Sequence, residues 1–138
     1  MIARRLLLTP ILLAALTAAP AGAVGAQTTS AAAWQATPAS VLKGALRSAA
    51  AAQARYRAEH GTYAPSAEAL ALRSESGIRV DILGAGITGW QGRATHLSQP
   101  GRSCVVFVGS LEGTEAPRTD GDREMAGEEG VPLCDRMR

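Results

Sequence analysis

The stretch TDGDREMAGEEG, residues 119–130, holds five of the 12 acidic side chains of this chain. Asp120, Asp122 and Glu124 alternate through a glycine-containing loop, and Glu128 and Glu129 follow. Calcium is a hard ion that accepts irregular coordination, so several carboxylate oxygens on a flexible loop are what it needs. Asp120, Asp122 and Glu124 are therefore the candidate metal ligands and calcium the candidate ion, beside the plainer reading of a solvated acidic loop. The stretch departs from EF-hand spacing, because its interior is short and Arg123 intrudes. The two histidines, His60 and His96, fall in different predicted elements, and the sequence supplies neither with a third ligand. The serines lack the strand–turn–helix setting of an activated nucleophile, and no serine, histidine and acid can be grouped by spacing. No catalytic residue is assigned, and the chain is expected not to be an enzyme.

The two cysteines, Cys104 and Cys134, follow a segment that directs export. Arg4 and Arg5 precede the apolar run LLLTPILLAALTAA, and small residues end it, with Ala-Gly-Ala at 21–23 and Val-Gly-Ala at 24–26. Basic, apolar and small residues in that order form a secretory signal peptide. Residues 1–26 are assigned to it, with cleavage after Ala26 and a second choice after Ala23. The competing reading is an uncleaved anchor, since residues 6–26 nearly suffice to span about 30 Å as a helix. Pro10, Pro20, Gly22 and Gly25 argue against a continuous spanning helix. An even number of cysteines in an exported chain implies a disulfide, and Cys104–Cys134 is the one intramolecular pairing. The spacing suits neither a CxxC redox pair nor a zinc site, and an oxidised pair leaves no thiol nucleophile. Closing a loop of about 30 residues stabilises a fold by about 3–4 kcal/mol on the chain-entropy model. That matters in a chain with a single phenylalanine.

Cleavage changes the electrostatics. The chain has 14 Lys+Arg against 12 Asp+Glu, and losing Arg4 and Arg5 brings the balance to zero. The positive charge of the whole chain is thus no pointer to nucleic acid, which calls for clustered excess cations. Charge is instead uneven along the sequence. Residues 41–60 hold Lys43, Arg47, Arg55 and Arg57 against Glu59, whereas the chain after residue 110 is rich in acids. Solvated faces account for this, and so would contact between subunits or between helix and tail.

The elements that must position these residues follow from periodicity. Residues 27–37 (QTTSAAAWQAT), which include Trp34, have no clear period and form a linker. Thr37-Pro38 is a helix start: Thr37 can cap free N–H groups, and proline at the first position loses no hydrogen bond. Leu42, Leu46, Ala49, Gln53, Tyr56 and His60 then step by three and four, marking one helical face. Gly61 ends the helix, because glycine enters the left-handed conformation without a Cβ clash. Residues 38–60 would give a helix of about 34 Å at 1.5 Å per residue. Tyr63 should fold back and pack, Pro65 prevents resumption, and residues 67–74 suggest a short helical turn presenting Leu70 and Leu72.

The period then becomes two. GIRVDIL (77–83) alternates Ile78, Val80 and Ile82 against Arg79 and Asp81, as a half-buried strand does. GAG (84–86) is a turn, and ITGWQGRATH (87–96) a second strand, with Trp90 in the core and Gly89 and Gly92 as weak points. SCVVFVGS (103–110) is the most apolar run after the leader and should be the best-buried strand. The remainder is an acidic loop tied back by Cys134. The expected fold is α+β: one long N-terminal helix on a small antiparallel sheet of about three strands, its C-terminal loop pinned by a disulfide.

A helix of the type LKGALRSAAAAQARYRAEHGTYA, strands GWQGRATH and CVVFVG, and a C-terminal cysteine resemble the globular domains of type IV pilin-like proteins and type II secretion pseudopilins. The resemblance covers roughly residues 41–135. It implies structural roles for Tyr56, Gly61 and Tyr63 at the helix end and for the Cys104–Cys134 pair. It also implies partners among pilus or secretion components, and some pseudopilins hold calcium in a C-terminal loop. The chain departs from the family in its leader, which resembles an ordinary signal peptide followed by a linker, without a polymerising apolar segment continuous with the helix. Filament assembly is therefore not carried over. The expectation is an exported, non-enzymatic, pilin-like domain, periplasmic or extracellular. It would act through protein or surface contacts, without nucleic acid and without a stable membrane span after cleavage. The alternative is a periplasmic ligand-binding or calcium-binding module.

Overall fold

The computed structural model describes residues 36–138. The signal peptide assigned to residues 1–26, and most of the linker including Trp34, lie outside the described residues.

Helix α1 (Pro38–His60) is the first described element. Thr37 caps it in extended conformation, its Oγ1 accepting a 3.2 Å hydrogen bond from the Ser40 N–H, while Pro38 occupies the first turn. Gly61 ends it at φ 76°, its N–H donating to the Arg57 carbonyl at 2.8 Å. Nothing lies within 4 Å of where a Cβ would sit on Gly61, so the glycine is needed for its backbone conformation and not for space. Leu42, Leu46, Ala49, Ala52 and Gln53 are buried, whereas Tyr56 is half-buried and His60 exposed. The inward stripe thus fades in the last turn. Residues 67–71 form hydrogen-bonded turns and no regular helix.

The sheet has four strands among the described residues where about three were expected: β1 (Ile78–Ala85), β2 (Gly89–His96), β3 (Ser103–Gly109) and β4 (Leu133–Cys134). They lie in sequence order, all neighbours antiparallel. Gly84 and Ala85, expected in a turn, belong to β1, which carries a register shift between Ile82 and Gly84. The fourth strand escaped the sequence because two residues carry no alternation. It exists because Cys104 faces Cys134 in register.

Side-chain alternation gives the sheet two different faces. On one, Ile78, Val80, Ile82, Trp90, Ala94, Cys104, Val106 and Val108 pack with Leu42, Leu46 and Ala49 of α1. Gly92 lies between Trp90 and Ala94 on that face, and a Cβ there would come within 2.6 Å of the Trp90 ring. The residue that weakens β2 by propensity is the one that makes room for its largest side chain. The other face presents Gln91, Arg93, Val105 and Phe107 to the segment that follows β3. Gln91 Nε2 donates to the Glu115 carbonyl, Arg93 meets Asp120, and the Gly130 N–H donates to the Phe107 carbonyl. Val105, Thr119 and Ala126 are buried there. The described residues therefore form three layers, with α1, the sheet and the acidic segment stacked in that order.

Candidate functional site

The acidic segment turns back on itself. The Thr119 N–H donates to the Glu124 carbonyl at 2.9 Å, the Glu124 N–H donates to Thr119 Oγ1 at 3.2 Å, and Arg118 bridges Met125. Arg123 takes a positive φ of 59° at the tip. The three candidate metal ligands leave this turn in different directions. Asp120 pairs with Arg93 at 3.3 Å, and Asp122 pairs with Arg102 at 2.6 Å. The second Asp122 oxygen accepts from the Arg136 N–H at 2.8 Å, and Glu124 is exposed. Among the described residues no group of three or more His, Cys, Asp or Glu side chains is placed to hold a metal ion. Asp120 thus goes to Arg93 on β2, Asp122 to Arg102 in the turn before β3, and Glu124 to solvent, where the sequence suggests a common centre for the three. Arg102 itself lies across Gly121, whose Cβ position would fall 2.7 Å from its Nη1.

The acid at the centre of the region is one that sequence reasoning passed over. Asp135 is 3% exposed. Its carboxylate accepts the N–H groups of Ser103 at 2.8 Å, Gly121 at 2.9 Å and Asp122 at 2.6 Å, with the Thr119 hydroxyl also bonded to it. Burial pushes its pKa up, but the bonds from Thr119 and the three backbone donors outweigh burial and hold it below the ordinary carboxylate value. The Asp135 N–H in turn donates to the Ser103 carbonyl at 2.9 Å. The side chain thus replaces a backbone acceptor in the ladder, and β4 can stop after two residues. Nothing in the sequence marks Asp135 except its place beside Cys134.

The disulfide lies next to this anchor. Because Asp135 and Ser103 form a hydrogen-bonded pair, Cys104 and Cys134 form the adjacent non-bonded pair, where antiparallel strands approach most closely. Their Cα atoms are 4.0 Å apart and they lie 30 positions apart in sequence. Across the sheet, Asp81 joins Arg79 at 2.8 Å and Arg93 at 3.2 Å, and Arg93 continues to Asp120. Burial raises the Asp81 pKa, and its bonds and charges from Arg79 and Arg93 reverse that to a net lowering. The Asp122 pKa is also lowered, chiefly by the Arg136 N–H and then by Arg102.

The residues at the end of α1 occupy a separate region. Tyr63 donates its N–H to the Gly86 carbonyl at 3.0 Å, packs against the core, and has the Arg57 guanidinium 5.1 Å from its ring centroid. Tyr56 stacks on His60 with ring centroids 3.9 Å apart. Gln53, completely buried, donates to the Ala64 carbonyl at 2.9 Å and accepts the Ala64 N–H at 2.7 Å, strapping the chain after the cap to the helix. His60 contacts the Tyr56 carbonyl and His96 contacts Ser98, so the structure does not bring the two histidines into one site.

Two surfaces stay available for contact. The first is the outer face of α1, where Arg47 and Arg55 are exposed among Gly44, Ser48, Ala51 and Ala58, without ion-pair partners among the described residues. The second is the outer side of the acidic segment, with Glu112, Glu124 and Glu128 exposed. A groove of about 700 Å³ also runs between α1, residues 67–75 and the start of β1, lined by Ala45, Ala52, Leu70, Leu72 and Val80. No helix among the described residues is long and apolar enough to cross a membrane. The chain matches no protein-family model, and comparison with curated proteins gives no match.

Proposed function

We propose that this chain is an exported, non-enzymatic domain of the pilin-like kind that works by protein contact, in association with a pilus or secretion apparatus. The observation that carries the reading is the outer face of α1. A helix of 23 residues is seated on the sheet by one stripe, while its other side holds exposed arginines among small residues. Small side chains let another surface approach closely, and unpaired arginines offer charged hydrogen bonds to it. The chemistry-bearing side chains of the acidic segment support the same reading. Asp120, Asp122 and Asp135 are occupied in holding the segment to the sheet.

The test is affinity capture from exporting cells with the wild-type chain and with Arg47→Glu/Arg55→Glu. The expected result is a partner protein that is lost from the variant, whose melting temperature is unchanged, and that in purified form binds only the wild type. Identical capture by both proteins would overturn the contact role of α1.

A further inference from the structure

The described domain is electrically neutral, because the two cations that unbalance the chain, Arg4 and Arg5, precede it. Two of its layers carry opposite charge, although Glu68 and Glu75 line the groove beside Arg55. The outer layer formed by α1 carries Lys43, Arg47, Arg55 and Arg57 against Glu59 alone. The layer on the opposite face of the sheet, residues 111–130, carries Glu112, Glu115, Asp120, Asp122, Glu124, Glu128 and Glu129 against Arg118 and Arg123. Asp120 and Asp122 are neutralised by Arg93 of β2 and Arg102 of the turn before β3, which leaves glutamates to face solvent.

We propose that the partner of the α1 outer face is the acidic layer of a second copy of this chain, in a head-to-tail contact. The inference rests on the contact reading above and names its partner. Zero net charge means that two copies do not repel at long range, and the opposed faces orient them as they approach. Arg47 and Arg55 lie two turns apart, so they address an extended acidic surface and not a single carboxylate. Because donor and acceptor surfaces are on opposite sides of the sheet, the contact is heterologous and leaves a free face at each end. The surface is small. A helix face about 34 Å long and about 10 Å wide is well below the area of a stable standard interface, so the association is weak and sensitive to salt.

Sedimentation velocity over a concentration series tests this. The wild type should gain mass with concentration at low ionic strength, and its association constant should fall at least about tenfold between about 20 and 300 mM salt. Arg47→Glu/Arg55→Glu and Glu124→Lys/Glu128→Lys should each stay monomeric, with circular dichroism and melting as in the wild type. An equimolar mixture of the two variants should associate again, because each then supplies the face the other needs. A wild type that stays monomeric at low salt, variants that associate like the wild type, or a mixture that fails to recover association would each overturn the proposal. If self-association is absent while Arg47→Glu/Arg55→Glu still loses a captured partner, the second copy is the wrong partner and the contact role of α1 survives.

Discussion

Asp135 shows how much one residue can hold. Three backbone N–H groups from two segments converge on a carboxylate that is 3% exposed. Removing it strands those donors, and a stranded buried donor costs about 1–3 kcal/mol. Asp135→Ala should therefore destabilise the fold by about 3 kcal/mol or more, as read from urea unfolding. An effect under about 1 kcal/mol would mean that the three donors have other partners. The same group contributes to acid sensitivity, together with Asp81 and Asp122, whose pKa values are also lowered. A carboxylate held below its ordinary value binds its proton more weakly folded than unfolded, so its stabilisation is complete above the unfolded value of about 4 and disappears as pH falls through the folded one. Stability should be nearly level from neutral pH to about 5 and drop below about 4. Melting curves across that range check this, and a midpoint that rises on acidification would contradict it. None of this was legible in the sequence, where Asp135 is one acid among eight after residue 110. Asp120, Asp122 and Glu124 stood out instead because they alternate in a loop, and alternation reports nothing about which arginines the sheet will present.

The elements themselves were easier to infer. Thr37-Pro38 and Gly61 bracket α1 because capping is local chemistry, settled within a turn of the residues concerned. The alternation of Ile78, Val80 and Ile82 and the apolar run of β3 were equally direct. The misses have a common cause. Leu133–Cys134 is a strand only through its register with β3, and Gly84–Ala85 continues β1 only because the strand bulges. Both depend on pairing across the sheet, which a local window does not contain. The cross-strand disulfide is the covalent counterpart of that pairing. With its cysteines 30 positions apart, its removal should lower stability by about 3.5 kcal/mol on the chain-entropy model. Cys104→Ala/Cys134→Ala compared with the oxidised wild type in guanidinium unfolding measures this. A loss close to zero would show that Asp135 and its donors suffice to hold β4.

At the scale of the whole molecule, the division into a basic helix layer and an acidic segment with a sheet between them has no single signature in the sequence. Charge counts along the chain give the two blocks, but only the side-chain alternation of β2 and β3 assigns them to opposite faces. Arg93 is pivotal here, pairing with Asp81 on β1 and Asp120 in the acidic layer and so tying two strands to the segment above them. Net neutrality with opposed faces is what the self-association experiment addresses, and its salt dependence belongs to this scale alone.

The same disulfide makes residues 104–134 a covalently closed ring. A protease that cuts the exposed acidic turn once would open the ring without releasing a fragment. The nicked chain would gain the mass of one water, run as a single species until reduced, and then divide in two. Asp135, Arg93 and Arg102 would still hold the cut ends in place, so the described domain can be cleaved in an exposed segment and stay assembled.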